Sequence, residues 1–168
     1  DGEKWQLIKG ALFMMAGGTM RHAQIIGSIH AALRSRLKGG PCRTYMSDVK
    51  VANAEANFSA YPDVVVRCAE PALDLELEMN DPVAIFEVLS PSTQHLDRGD
   101  KLFAYQQIAS LNFYAVIYTD ELRVEAWSRQ ADGFLEKVYK RAGESVRIEA
   151  LSVEIPLSEI YEGVALTD

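Results

Sequence analysis

The sequence has little cysteine and no long apolar run. Cys42 and Cys68 are its only cysteines among 168 residues, and they follow neither a C-x-x-C spacing nor the dense pattern of secreted scaffolds. We therefore expect two buried free thiols and a reducing, cytoplasmic compartment. No apolar run approaches the roughly 18 residues of a membrane span, and the first residues, DGEKWQLIK, lack the basic-then-apolar order of a signal peptide. We expect no membrane partner.

Basic residues are fewer than acidic ones, 17 against 24. The net charge is −7, which argues against a protein that coats nucleic acid non-specifically, because such binding neutralises many phosphates with Lys and Arg. The basic residues that do occur are concentrated early, in residues 34–50. That stretch is either a local nucleic-acid contact or an ordinary solvated face.

Repeats, low-complexity tracts and linkers rich in Pro, Gly and Ser are absent. We therefore treat residues 1–168 as a single domain, a length that allows a substantial core. Strands interleaved with two helices, followed by a run of strands, predict an α/β (α+β) fold with a central sheet.

Hydrophobic patterns predict the following elements. WQLIK and LFMMA read as a hairpin, Thr19 to Lys38 as an amphipathic helix ended by Gly39-Gly40-Pro41, and CRTYMSDVKV and PDVVVRC as strands. VAIFEVLS reads as a buried strand, and a second helix is predicted from Asp97 to Ile108, with Asp97 as its cap. Three strands, NFYAVIYT, LRVEAWSR and FLEKVYK, follow.

One residue of the buried strand is out of place. Val83, Ile85, Glu87 and Leu89 share a face by the period of two, so the Glu87 carboxylate points into an apolar environment. Burial of this group requires a cation, a metal ion, hydrogen-bond donors or a raised pKa that keeps it neutral. The sequence alone leaves these four alternatives open.

A second carboxylate opens the preceding strand. Asp63 follows Pro62, where an Asp is usually a turn residue, but beside Glu87 it becomes a candidate second oxygen ligand for Mg²⁺ or Mn²⁺. Phosphodiester hydrolysis also needs a cation near the developing charge. Position 89 is Leu, so the nearest candidate ammonium is Lys101 on the following helix; the alternative is a surface lysine.

Several of these motifs together resemble a known family. Pro62-Asp63, IFEVLSPST at 85–93, Asp97, Lys101 and Tyr105, with MAGGTMRH at 15–22 and IPLSEIYEGV at 155–164, are similar to the Uma2 (Uma-two) family. That family is a bacterial branch of the PD-(D/E)xK nuclease superfamily. The likeness spans nearly the whole chain.

The resemblance implies a restriction-endonuclease-like core, with a mixed central β-sheet flanked by helices. It implies a DNA endonuclease that uses Mg²⁺ or Mn²⁺, with Asp63 and Glu87 as metal ligands and Lys101 as the catalytic lysine. His22, Ser92 and Tyr105 are the implied substrate contacts. For His22, a helix-start histidine bonded to backbone is the alternative. A homodimer is expected on the same basis.

The chain departs from the family in its first strands. Where members often carry acidic residues in a pattern like Y-E-L-I-D-G-E-L, this chain has Gln6, Lys9 and Ala11. A weakened metal site is therefore an alternative. In that case the protein is a binding module, serving in a mobile-element or defence assembly. A third hypothesis is a structural or toxin–antitoxin partner that never meets DNA.

Overall fold

The computed structural model describes residues 4–15, 17–69, 77–90 and 94–166. Its strands are β1 (Trp5–Ile8), β2 (Ala11–Met14), β3 (Arg43–Met46), β4 (Lys50–Asn53), β5 (Phe58–Ala60), β6 (Val64–Arg67), β7 (Glu78–Met79), β8 (Ala84–Val88), β9 (Phe113–Ile117), β10 (Val124–Gln130), β11 (Gly133–Tyr139), β12 (Ser145–Ile148) and β13 (Val153–Pro156). Its helices are α1 (Met20–Arg36), α2 (Gln94–Asp97), α3 (Asp100–Gln106) and α4 (Leu157–Ile160), with a 3₁₀ turn at Glu149–Leu151.

A six-stranded mixed sheet forms the centre of the fold, in the order β11-β10-β9-β8-β6-β3. The neighbours β8 and β9 run parallel, and the other pairs are antiparallel. The helices α2 and α3 lie in the connection from β8 to β9, as a parallel pair requires a crossover. The mixed α/β architecture predicted from the sequence is confirmed.

One face of this sheet packs on α1. Thr19 caps the helix by accepting a hydrogen bond from the backbone N–H of His22, 3.2 Å away. Ile25, Ile29 and Leu33 recur at helical spacing and are fully buried. They form one apolar core with alternate residues of the sheet, with β12 and β13, and with α4.

The other face packs on α2, α3 and a five-stranded sheet of order β2-β1-β5-β4-β7. The hairpin β1–β2 turns through Lys9 and Gly10, whose φ angles of 50° and 78° are both positive, as a two-residue type I′ turn requires. This second core contains Ile85 and Leu89, the predicted face-mates of Glu87.

Three predicted elements are wrong in their limits. CRTYMSDVKV is not one strand, because Ser47 adopts a positive φ of 51° and β3 and β4 belong to different sheets. The predicted second helix is two short helices separated at residues 98–99. The segment between CRTYMSDVKV and PDVVVRC, which Asn53, Asn57 and Ser59 indicate as a polar loop, contains strand β5, which pairs with β4 and β1.

The expectation of two free thiols is also wrong. Cys42 and Cys68 form a disulfide, with their Cα atoms 3.9 Å apart. The antiparallel register that pairs Arg43 with Arg67 places the two cysteines opposite each other just beyond the ends of β3 and β6. A pairing created by strand register is not visible in the spacing of two cysteines. In the described part of the chain, no helix is both long and apolar enough to cross a membrane.

Candidate active site

A cavity between the six-stranded sheet, the β1–β2 hairpin and the start of α1 gathers the charged candidates. It is lined by residues that include Gln6, His22, Asp63, Glu87, Asp97 and Lys101. These side chains come from β1, α1, the turn before β6, β8, α2 and α3. Residues far apart in sequence therefore meet where β8 ends.

Glu87 is 3 % exposed, and three groups compensate its burial. The Lys101 ammonium lies 3.2 Å from Oε1, and the Tyr105 hydroxyl donates to the same oxygen at 3.2 Å. The backbone N–H of Asp63 donates to Oε2 at 3.4 Å. Of the four alternatives left open by the sequence, a cation and hydrogen-bond donors are both present.

The last of the four alternatives, a raised pKa of the Glu87 carboxyl, applies as well. Burial raises the pKa of Glu87 to about 8; the Lys101 ammonium opposes this shift, and the charges of Asp97 and Asp63 reinforce it. One ammonium does not neutralise three neighbouring carboxyl groups. The site therefore favours the arrival of a proton or another cation.

Lys101 is held between two carboxylates. Besides Glu87, it contacts Oδ1 of Asp97 at 2.8 Å, four residues earlier at the end of α2. Burial alone would lower the pKa of Lys101, but the charges of Glu87 and Asp97 outweigh burial and raise it. The lysine therefore keeps its positive charge, although its side chain is only 4 % exposed.

Asp63 and His22 form a second pair at the cavity wall. Oδ2 of Asp63 accepts a hydrogen bond of 2.7 Å from the backbone N–H of Val88 and lies 3.4 Å from His22 Nε2. Nε2 is also 2.9 Å from the carbonyl oxygen of Val88. The hydrogen bond to Asp63 raises the pKa of His22 against the effect of burial. The alternative of a backbone-bonded histidine is thus present in the structure.

Gly18 makes room for the His22 ring. A Cβ atom built at position 18 would lie 2.5 Å from His22 Nδ1, closer than any real contact. Of the two glycines before α1, Gly18 is therefore the one that the position of His22 requires, whereas a Cβ atom at Gly17 would meet no neighbour.

Gln6 is the only one of the three departures from the family pattern that lines the cavity. It is 4 % exposed, and its Oε1 accepts no hydrogen bond from the described chain. Lys9 lies in the hairpin turn, 2.7 Å from Asp100, and Ala11 is exposed. The amide oxygen of Gln6 thus lies in the cavity at a position where the family pattern has a carboxylate.

Three further predicted residues have distinct positions. Asp97 does not cap a helix, because it ends α2 and pairs with Lys101; Gly99 precedes α3 without a side-chain cap bond. Tyr105 is fully buried and directs its hydroxyl at Glu87. Ser92 lies outside the described residues. Asp97 and Lys101 are four residues apart in a segment predicted to be helical, and this spacing could have indicated that they form an ion pair.

The oxygen donors of the cavity suit a hard divalent cation. Within the described ranges, no group of three or more His, Cys, Asp or Glu side chains is arranged to hold a metal ion. The available donors are the carboxylates of Asp63 and Glu87 and the unpartnered amide oxygen of Gln6. Mg²⁺ commonly uses one or two carboxylates and keeps several waters, so this set fits it.

Comparison with known proteins shows the family of this chain. The model of the Uma2 family, described as "Putative restriction endonuclease", matches residues 1–158. The chain belongs to the Uma2 family. Two uncharacterized proteins of Synechocystis sp. are similar to this Uma2 protein. The first is 26 % identical over 163 residues, and the match covers 97 % of this chain and 86 % of the Synechocystis protein. The second is 28 % identical over 132 residues, and the match covers 77 % of this chain and 75 % of the second Synechocystis protein.

A solved structure shares the fold. The crystal structure of a protein described as a "putative nuclease belonging to DUF820", from Anabaena variabilis, superposes with a TM-score of 0.80 at 14 % identity. The match covers 96 % of the Uma2 chain and 91 % of the other chain. At this identity the likeness establishes the fold alone.

Proposed function

We propose that this Uma2 protein is a metal-dependent DNA endonuclease that hydrolyses phosphodiester bonds by attack of water. The observation that carries the proposal is the convergence of Asp63, Glu87 and Lys101 in one cavity. A carboxylate inside an apolar strand is costly, and a role in chemistry accounts for keeping it. The family description supports a nucleic-acid substrate.

Mg²⁺ or Mn²⁺ is the proposed cofactor, with Asp63 and Glu87 as its ligands and the Gln6 amide oxygen as a neutral third donor. When bound, the cation supplies Lewis acidity to a phosphoryl oxygen and to the attacking water. The pKa of Glu87 is raised chiefly by burial and further by the charges of Asp97 and Asp63. A bound cation would offset both effects, which supports this assignment.

Lys101 is the proposed catalytic ammonium. It keeps its proton at neutral pH, and its charge lies beside the carboxylate where the phosphoryl group would be held. A preorganised cation in a site shielded from water stabilises the negative charge that develops in the transition state. Asp97 is a positioning residue, since it fixes the ammonium without itself being assigned a ligand role.

The remaining residues have secondary roles in this proposal. His22 lines the cavity, and with a raised pKa it can present a positive charge to a phosphate oxygen. Tyr105 steadies Glu87 through its hydroxyl. Substrate contact by Ser92 and Tyr105 stays a prediction.

A homodimer completes the proposal. The hairpin β1–β2 exposes Leu12 and Met14, which are 65 % and 60 % accessible, and Met14 also lines the cavity. Exposed apolar side chains beside a site support a second copy there, and two sites are suited to the two strands of DNA. The cytoplasmic location stays a prediction, and the disulfide between Cys42 and Cys68 removes the free thiols on which it was based.

Plasmid cleavage tests the proposed activity. Supercoiled plasmid is incubated with the wild type, Glu87→Gln or Glu154→Gln in Mg²⁺, Mn²⁺ or EDTA; Glu154 is an exposed control on β13. Nicking should need metal and fall at least about 100-fold in Glu87→Gln, because loss of a metal ligand also removes the charge stabilisation that the metal would provide. Metal-dependent nicking that survives unchanged in Glu87→Gln would reject the assignment.

The binding module is the second candidate. It is favoured by the neutral Gln6 and by the double ion pair that engages Lys101. In that case the wild type binds duplex DNA without cutting it, and Gln6→Glu restores cleavage. Cleavage by the wild type that disappears in Asp63→Ala would exclude this candidate.

A further inference from the structure

A second buried carboxylate lies in line with Glu87. Glu125 on β10 is 1 % exposed, and it is opposite Val116 of β9, which is opposite Glu87 of β8. Residues opposite each other in a sheet share a face, and neighbouring strands are about 4.8 Å apart. Glu125 therefore faces the same side as Glu87, about 10 Å across the sheet.

Glu125 anchors two arginines. Arg98 meets it through Nε at 2.8 Å and through a second nitrogen at 3.3 Å, which is a bidentate pair. Arg123 also donates to Oε1, and the Tyr118 hydroxyl donates to it at 3.2 Å. Arg98 directly follows Asp97, so one arginine is joined by the backbone to the candidate active site.

The guanidinium groups of Arg98 and Arg123 lie near the surface, above the buried carboxylate of Glu125. The side chains of Arg98 and Arg123 are 42 % and 24 % exposed, whereas the carboxylate below them is buried. Arg123 also lies over the Tyr118 ring at 4.5 Å and donates to the half-exposed Glu121. A guanidinium carries five N–H donors, so Glu125 fixes each arginine while leaving donors for another acceptor.

We propose that Arg98 and Arg123 bind a backbone phosphate of the nucleic acid, beside the phosphate that reacts at Glu87, and that Glu125 positions both. This inference rests on the proposed function. Arginine forks match phosphate oxygens, and a fork held in place loses less entropy on binding. Glu87 and Glu125 lie about 10 Å apart across the sheet, so the arginines engage a phosphate near the scissile bond rather than the reacting phosphate itself.

The salt dependence of DNA binding tests this inference without cleavage. A mixed-sequence duplex is titrated in EDTA with the wild type, Arg98→Gln, Arg123→Gln and Arg147→Gln. Arg147 is a matched control on β12, 65 % exposed and paired with the exposed Glu154. Each of the first two variants should lower the slope of log K against log salt by about one, and the control should not change it.

Two conservative variants separate positioning from bulk charge. Glu125→Gln makes the net charge one unit more positive, which by itself would tighten DNA binding; loss of positioning should weaken binding about tenfold instead. Arg98→Lys keeps the charge but loses the fork, and should weaken binding several-fold with an unchanged circular dichroism spectrum. It provides the test if Glu125→Gln does not fold.

The outcomes are distinct. If the wild type binds duplex and both arginine variants keep its salt slope, the phosphate site is refuted and the proposed nuclease stands. Tighter binding by Glu125→Gln would also refute the positioning role. A wild type that neither binds duplex at low salt nor nicks plasmid would reject the proposed function, and this inference with it.

Discussion

The two faces of the six-stranded sheet are both buried, but they differ in chemistry. The face under α1 is built from apolar residues such as Val64, Phe86 and Ile117. The opposite side holds the buried charged or amide side chains of the described residues: Gln6, Glu87, Asp97, Lys101 and Glu125. One face therefore supplies mainly stability, and the other carries charges whose burial needs a functional explanation.

The two in-strand carboxylates extend this comparison. The pKa of Glu87 rises chiefly because the side chain is buried, and the charges of Asp97 and Asp63 add to the shift against the opposing charge of Lys101. Glu125 instead meets two arginines. The same residue type at the same depth is thus the proposed ligand of a divalent cation in one place and holds cationic side chains in the other.

The largest expected effect is the loss of the buried ammonium. Lys101→Met leaves Glu87 and Asp97 without their shared cation, and should destabilise the protein by about 3–5 kcal/mol. Adding Glu87→Gln should recover part of this loss. Urea unfolding measures both variants, and an unchanged midpoint for Lys101→Met would contradict the ion-pair arrangement.

A cavity on the helix face should cost nearly as much. Ile29→Ala removes a fully buried side chain of α1, at a cost of about 3 kcal/mol. Because Ile29 packs on the face away from the site, the Mn²⁺ affinity of the folded variant should stay within a factor of two. A matching fall in affinity would show that the two faces are not independent.

A weaker effect is expected from pH. With its pKa raised from 4.5 to about 8, Glu87 binds more protons in the folded than in the unfolded chain, so its contribution to stability falls as pH rises between these values. Urea midpoints in EDTA at pH 5 and pH 8 should therefore differ less in Glu87→Gln than in the wild type. Equal differences would refute the raised pKa.

The smallest expected effect comes from changing Gln6, the proposed neutral ligand of the metal ion. Gln6→Glu adds a charge where an unpartnered amide oxygen lies, and should tighten Mn²⁺ binding about tenfold, or about 1.4 kcal/mol. The matched control is Ala11→Glu, at an exposed position of the same hairpin. Equal gains in both variants would mean that only bulk charge matters.

Local patterns in the sequence predicted much of this fold. The hairpin, α1 and the strands β8 to β11 follow from period and turn residues, and a carboxylate in an apolar run pointed to Glu87 and its partners. The same rule applies to Glu125 in VEAW, although it was not applied there: Arg123 is only two residues away, whereas Arg98 is 27 residues away and gives no local signal. The disulfide and the position of Gln6 depend on strand register and hairpin packing, which pairwise spacing does not encode.

Binding of Mn²⁺ to the wild type and to Glu87→Gln tests the central claim most directly. A calorimetric titration in the absence of DNA reports on the site whether or not the protein cleaves. We expect saturable binding to the wild type and an affinity at least tenfold weaker in Glu87→Gln, with circular dichroism unchanged. Equal affinity in the two proteins would contradict the claim that the buried carboxylate is there to hold a cation.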